Sequence, residues 1–164
     1  MKRRVLGAVA VALVAVGAAQ AAADRPIVAG AVAVRATDDW ARVNAAATGA
    51  ETDPRTVLVV GTRGVVPRAS QCQVAAYRIP ADGAAVVVLG WRGVAPDSLP
   101  RDRSDLQAMR LRRPIFECFD GRGAVAQIVI KGRAYQVNVM VGDRATRDTV
   151  ADALSVARSF APAP

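Results

Sequence analysis

Chemistry in this chain would have to come from carboxylates, thiols and arginines, because its 164 residues include no histidine. That absence excludes Ser-His-Asp and Cys-His mechanisms and removes the commonest transition-metal ligand. Three carboxylate pairs are close in sequence: Asp38/Asp39, Asp102/Asp105 and Glu117/Asp120. A glycosidase needs two carboxyl groups facing each other across a cleft. Nearness along the chain does not supply that, and these pairs read as caps and turn residues. Ser70 and Ser98 have no neighbouring base motif. No catalytic residue, metal-ligand set or cofactor is predicted, and the chain reads as a non-enzyme. A carboxylate-dependent hydrolase is the alternative that a cleft lined by two Asp or Glu side chains would revive.

Arginine is the abundant charged side chain; only Lys2 and Lys131 are lysines. The densest run holds Arg101, Arg103, Arg110, Arg112 and Arg113 against Asp102 and Asp105. Two further arginines sit in a weak internal echo. Thr56 to Pro67 resembles Ala85 to Pro96 at an offset of 29 residues, and each copy ends in Gly-x-Arg-Gly-Val. Arg63 and Arg92 are the arginines of those loops. Neither loop has the glycine spacing of a phosphate-binding loop, and two copies do not make a solenoid. Together Arg63, Arg92, Arg101, Arg103, Arg110, Arg112 and Arg113 are the candidate anion contacts. Basic residues are not interleaved with stacking aromatics, so nucleic acid is not a predicted partner.

The N-terminus sets the compartment in which these groups are read. Lys2, Arg3 and Arg4 form a positive segment, Val5 to Ala19 is apolar, and Ala19-Gln20-Ala21 and Ala21-Ala22-Ala23 offer small-x-small cleavage patterns. This is the tripartite form of a secretory signal, so residues 1–23 are predicted to be removed and the protein to be secreted or extracytoplasmic. Retention of residues 5–23 as an anchor is the alternative; the run is short and alanine-rich for a bilayer span. Lys2, Arg3 and Arg4 are three of the 22 Lys+Arg, so the chain from Asp24 onward carries 19 against 14 Asp+Glu, a net of +5. In an oxidising compartment the two cysteines, Cys72 and Cys118, read as a disulfide. On the chain-entropy account its loop closure is worth about 4 kcal/mol. No Cys-x-x-Cys is present to suggest redox chemistry.

The elements that must position these groups follow from periodicity. Ala134–Val141 alternates strictly, with Tyr135, Val137, Val139 and Val141 on one face and Ala134, Gln136, Asn138 and Met140 on the other. One face is expected to be buried and the other wetter. Ala124–Ile130 and the Lys131-Gly132-Arg133 turn complete a hairpin. From Thr146 to Ser159, apolar residues recur at helical spacing, with Thr146 or Asp143 as cap and Pro162 and Pro164 beyond. A second hairpin, Gln71–Ile79 and Ala84–Trp91, flanks the turn Pro80-Ala81-Asp82-Gly83. Thr56–Thr62 reads as a strand, Asp38 to Gly49 as a short helix, and Ser104 to Met109 as another capped by Ser104. The predicted class is α+β, a mainly antiparallel sheet of hairpins packed by a C-terminal helix with one disulfide. The predicted divisions are 1–23, an N-terminal arm with a short helix over 24–53, one domain over 54–160, and a tail over 161–164. Aromatics are only 4% of the chain, so the core must be built mainly from Val, Ala, Ile and Leu.

This layout resembles small exported proteins of unassigned function from high-GC actinobacteria. The resemblance runs over roughly residues 54–160 and rests on the signal segment, the Pro-x-Asp-Gly hairpin ending in Gly90-Trp91-Arg92, Glu117-Cys118-Phe119, Gly132 to Val137, and Ser159-Phe160. It implies an extracytoplasmic single domain and carries no catalytic residues. The functional expectation is an exported, non-enzymatic binding module of the cell envelope. Its candidate partners are an anionic envelope polymer, a lipid surface or an envelope protein. The alternative is a membrane-tethered accessory domain.

Overall fold

The computed structural model describes residues 24–47, 53–112 and 119–164. Residues 1–23, read above as a signal segment, and Arg113, Glu117 and Cys118 lie outside the described residues. The elements in order are β1 (Arg25–Ala29), β2 (Val32–Ala36), β3 (Trp40–Arg42), β4 (Arg55–Thr62), β5 (Val66–Pro67), β6 (Tyr77–Arg78), β7 (Ala84–Gly90), α1 (Ser104–Ala108), β8 (Arg122–Ile130), β9 (Arg133–Val141), α2 (Arg147–Arg158) and β10 (Ala161–Pro162). Five strands form the central sheet in the order β3-β4-β7-β9-β8, with every pair antiparallel. The class is α+β.

The strict alternation of β9 is used as expected, but both faces are covered. Tyr135, Val137, Val139 and Val141 join Leu58 and Val60 of β4 and Val86 and Val88 of β7 in one cluster. Ala153, Val156 and Ala157 of α2 close it, with Phe160 meeting the Tyr135 ring edge-on at 5.4 Å. Thr146 caps α2 by accepting the Thr149 N–H at 3.1 Å, and Asp148 lies in its first turn, where the helix dipole favours a carboxylate. On the opposite face Val59, Val87, Leu89 and Met140 pack under Val65, Val74, Ala76 and Tyr77. The face expected to be wetter is therefore also a core. Asn138 is fully buried within it and donates from Nδ2 to the Val87 carbonyl at 3.0 Å. A buried amide persists because its polar atoms are paired.

Several local readings change. Asp38 to Gly49 is not a helix over its described part: Trp40 belongs to a strand paired with Thr62, and Trp40 packs on one side of the sheet while Val43 and Ala46 pack on the other. Three apolar residues at helical spacing serve opposite faces, which an extended chain allows and a helix does not. The stretch read as an arm forms the β1–β2 hairpin, with Ile27 and Val34 in the core. Residues 161–162, read as tail, extend that hairpin as β10 against β2. In Gln71–Ile79 only Tyr77–Arg78 is strand. The preceding turns are held by Arg68, whose N–H and Nε donate to the Ala76 and Ala75 carbonyls. At α1 the capping oxygen belongs to Asp102, which accepts the Ser104 N–H at 2.9 Å; Ser104 itself is the first helical residue. The exposed Asp102 carboxyl is held below its ordinary range by its bonds from Ser104.

Candidate binding surface

The antiparallel pairing of β4 with β7 decides what becomes of the two echoed arginine loops. Thr56 sits opposite Leu89 and Gly61 opposite Ala85, so the two strands run in opposite senses. Arg63 follows the end of β4 and Arg92 follows the end of β7, hence they lie at opposite ends of the sheet. An eight-residue strand puts about 25 Å between them. They do not form one anion site. The echo reflects two neighbouring buried strands that each end in a glycine turn.

Carboxylates line two concavities at the end that carries Arg63, an end that also holds Arg122, Arg144 and Arg147. One concavity there, about 550 Å³, is lined by Asp39, Trp40, Thr62, Asp148 and Asp152 among others. An adjoining one of about 710 Å³ is lined by Asp38, Asp39, Arg63 and Asp82. Several of these carboxylates have structural work. Asp152 accepts the indole N–H of the buried Trp40 at 2.9 Å. Asp38 takes Arg25 Nε at 3.0 Å. Asp82 belongs to the turn before β7, where Gly83 N–H bonds the Pro80 carbonyl at 3.0 Å. Among the described residues no group of three or more Asp, Glu, Cys or His is arranged to hold a metal ion.

The arginine run divides in the same way. The chain from Pro100 to Arg112 lies along the outer edge of β8. The Pro100 carbonyl accepts from Val129 N–H at 2.9 Å, and Arg112 exchanges both backbone bonds with Gly123. Bridging the ends of an edge strand and laying a short helix beside it protects that edge from pairing with another chain. Arg103 is turned inward to the end of α2, where it donates to the Phe160 carbonyl at 2.8 Å and to the Arg158 carbonyl. A guanidinium there satisfies carbonyls that have no helical partner. Arg110 and Arg112 are exposed beside Asp105 and Val125. Arg101 is exposed and pairs with Asp97 at 2.8 Å. Arg113 lies outside the described residues.

What the fold does assemble is the opposite end of the sheet, built from three segments. The chain after β7 continues with Trp91 N–H donating to the Ala134 carbonyl at 3.1 Å, then turns out through Gly93 and Val94. Ala95 N–H returns to the Gly132 carbonyl at 3.1 Å, which ties this loop to the β8–β9 turn. Asp53 Oδ1 accepts the Arg92 backbone N–H at 3.1 Å. Between them lies a groove of about 380 Å³ lined by Trp91, Val94, Pro96, Leu99, Gln127 and Ala134. Val94 is 94% exposed, against 36–45% for the other exposed large apolar residues, Val28, Val66 and Val125. Arg92 lies two residues before Val94, and the Ala95–Gly132 bond brings the exposed Lys131 turn beside the loop; Arg133 sits opposite Ile130, on the Tyr135 face of the sheet and not on the face of the groove.

Lys131 and Gly132 both have positive φ, 49° and 78°. This is the two-residue hairpin turn that normally takes Asn-Gly or Gly-Gly. A lysine in the left-handed region costs about 1 kcal/mol that asparagine or glycine would largely avoid. The turn accepts that cost and holds a cation at its tip. Lys131 was legible only as a turn residue, because nothing in the linear sequence brings it beside Arg92. No protein-family model matches the chain, and no curated protein matches it.

Proposed function

We propose that the chain is an exported, non-enzymatic binding module of the cell envelope. It meets an anionic partner through the sheet end that carries Trp91, Val94 and the Lys131 turn. One observation carries this reading: a valine 94% exposed beside the groove lined by Trp91, with Arg92 two residues before it and the Lys131–Gly132 turn tied to its loop by the Ala95–Gly132 bond. A single exposed valine is ordinary by itself; what supports an interaction site is its continuity with the groove lined by the half-buried Trp91 and Leu99 and the cations on the neighbouring chain. Export is supported by the tripartite pattern of residues 1–23. A Cys72–Cys118 disulfide belongs to the same proposal, and Cys72 is not a free thiol. Arg63 drops out of the contact surface because carboxylates surround it, and Arg103 because it is spent on the end of α2. The hydrolase alternative would need the acidic end. There Asp38 and Asp152 already answer to Arg25 and Trp40, and this favours binding over catalysis.

Salt-graded elution of the native protein from isolated envelope fragments tests the reading. Neutralising Arg92 and Lys131 together to Gln lowers the salt needed for release, whereas Arg63→Gln or the pair Arg110→Gln and Arg112→Gln leaves it unchanged. Retention that ignores salt, or that follows the Arg110 and Arg112 pair instead, refutes it.

A further inference from the structure

We infer, resting on the binding surface proposed above, that the anionic partner is a phospholipid surface and that Val94 is the residue that enters it. The charge requirement alone would suit a polyanion as well as a bilayer. The apolar component separates them. A wall polymer offers anionic groups and hydroxyls but no apolar phase for a side chain that is 94% exposed. A bilayer offers both in the right order, headgroup phosphates outside and acyl chains beneath. The protein matches that order. Val94 is the most exposed apolar residue of its loop, the half-buried Trp91 and Leu99 line the groove beside it, and Arg92 and the Lys131 turn flank it. Amphipathic rings such as indole are favoured at the headgroup level. Basic side chains near an anionic leaflet are worth about fivefold each in binding.

Other exposed valines lack this company. Val28 and Val66 are little more than two-fifths exposed. Val125 is 36% exposed and sits beside Asp105 as well as Arg110 and Arg112, with no aromatic among the described residues that line the site. The loop is also stiff where it needs to be. Backbone bonds from Trp91 and Ala95 to β9 and its turn fix both flanks of Val94, so presenting it to lipid demands little ordering. Asp53 and Asp97 offset part of the positive charge on this loop, and one apolar residue is a small anchor. The association is therefore shallow, reversible and dependent on anionic lipid.

Flotation of the native protein with vesicles tests this directly. Vesicles of phosphatidylcholine alone are compared with vesicles of phosphatidylcholine and phosphatidylglycerol, and soluble polyphosphate serves as the polymer control. The inference expects binding to the anionic vesicles only, loss of it in high salt, and a fall of about tenfold or more for Val94→Asp. Because Val94 makes no core contact, that variant keeps the wild-type melting temperature. Lipids brominated on the acyl chain quench Trp91 and leave the buried Trp40 untouched; Trp91→Phe abolishes the quenched component. Equal binding of Val94→Asp and wild type overturns the inference. So does binding to polyphosphate without binding to anionic vesicles, a result that leaves the envelope-binding reading standing. Binding to neither probe, together with salt-independent retention on envelope fragments, removes both.

Discussion

Replacing Asp152 with alanine separates a structural carboxylate from a functional one. Its Oδ2 accepts the Trp40 indole N–H at 2.9 Å, and Trp40 is 1% exposed. Losing the acceptor leaves that N–H buried and unpaired. A hydrogen bond to a charged group is worth about 1.5–3 kcal/mol when one partner is removed. Alanine is the better helix former by about 0.6 kcal/mol, which works in the opposite direction at a position within α2. The net loss is about 1–2.5 kcal/mol, a fall in Tm of about 3–10 °C for a domain of this size. Urea titration with intrinsic fluorescence measures it. The double-mutant cycle with Trp40→Phe isolates the pair: phenylalanine has no N–H to lose, so the Asp152→Ala penalty shrinks by about 1–2 kcal/mol in that background. Asp148→Ala, one turn earlier and exposed, serves as control and costs only the fraction of a kcal/mol that a carboxylate contributes near a helix N-terminus. If Asp152→Ala is as stable as wild type and the cycle shows no coupling, the carboxylate does not anchor Trp40. The acidic end would then need another reason for its aspartates, and the hydrolase alternative would regain its case.

Gly142→Ala tests the join between the central sheet and the 80–83 turn. A Cβ there would run into the carbonyl oxygens of Pro80 and Ala81. Backbone must move, and the Gly142–Gly83 and Arg144–Ala81 bonds would be lost, so the cost is about 3 kcal/mol or more, read from denaturant midpoints. The Tyr77 hydroxyl is pushed above its ordinary value of 10.0 chiefly by burial, opposed by its bonds to Ala46 and Thr56. Since the folded state holds that proton more tightly, the contribution is intact below pH 10 and is lost as pH rises further; Tyr77→Phe flattens this alkaline limb of the stability–pH curve. Intact mass of the native protein before and after reduction yields an N-terminus near Asp24 and a gain of two hydrogens. An N-terminus at Met1, or both thiols alkylated without reduction, contradicts export with a disulfide.

Periodicity made the C-terminal half legible because its elements are long and one face of each is apolar. The β8–β9 hairpin and α2 appear within one or two residues of their sequence limits. It failed where a pattern served two masters. Asp38 to Gly49 reads as a short helix, yet within it Trp40 packs on one face of the sheet and Val43 and Ala46 on the other. Val74 to Tyr77 reads as a continuous buried strand, but most of it is a lid over Val59 and Leu89. The second core was hidden because Gln136 and Asn138 mark that face of β9 as polar. Only the structure reveals that Asn138 spends its amide on the Val87 carbonyl and on Gln136. The arginines were legible as a count and not as a surface. Arg103 lies close in sequence to Arg101 but serves the end of α2, and the Arg112 backbone serves the β8 edge, while Arg92 and the Lys131 turn are brought to one end of the sheet by the register of β7 with β9.

That register gives the molecule a direction, and the direction links the fate of the signal segment to the partner. Asp24 and Arg25 lie at the acidic end: the Asp24 carbonyl accepts from Arg35, and Arg25 reaches Asp38 and the Trp40 carbonyl. The Val94 loop lies at the other end, one strand length away. For the nine residues of β9 that is about 30 Å, several Debye lengths at physiological salt. If residues 5–23 stayed in a bilayer as an anchor, they would hold the acidic end at that membrane and point Val94 away from it. Anchorage and lipid docking through Val94 are thus exclusive for a single membrane. A native N-terminus near Asp24 together with vesicle binding is the consistent pair. A retained Met1 would instead turn the basic end towards whatever lies about 30 Å above the bilayer, and the partner would then be a polymer or a protein.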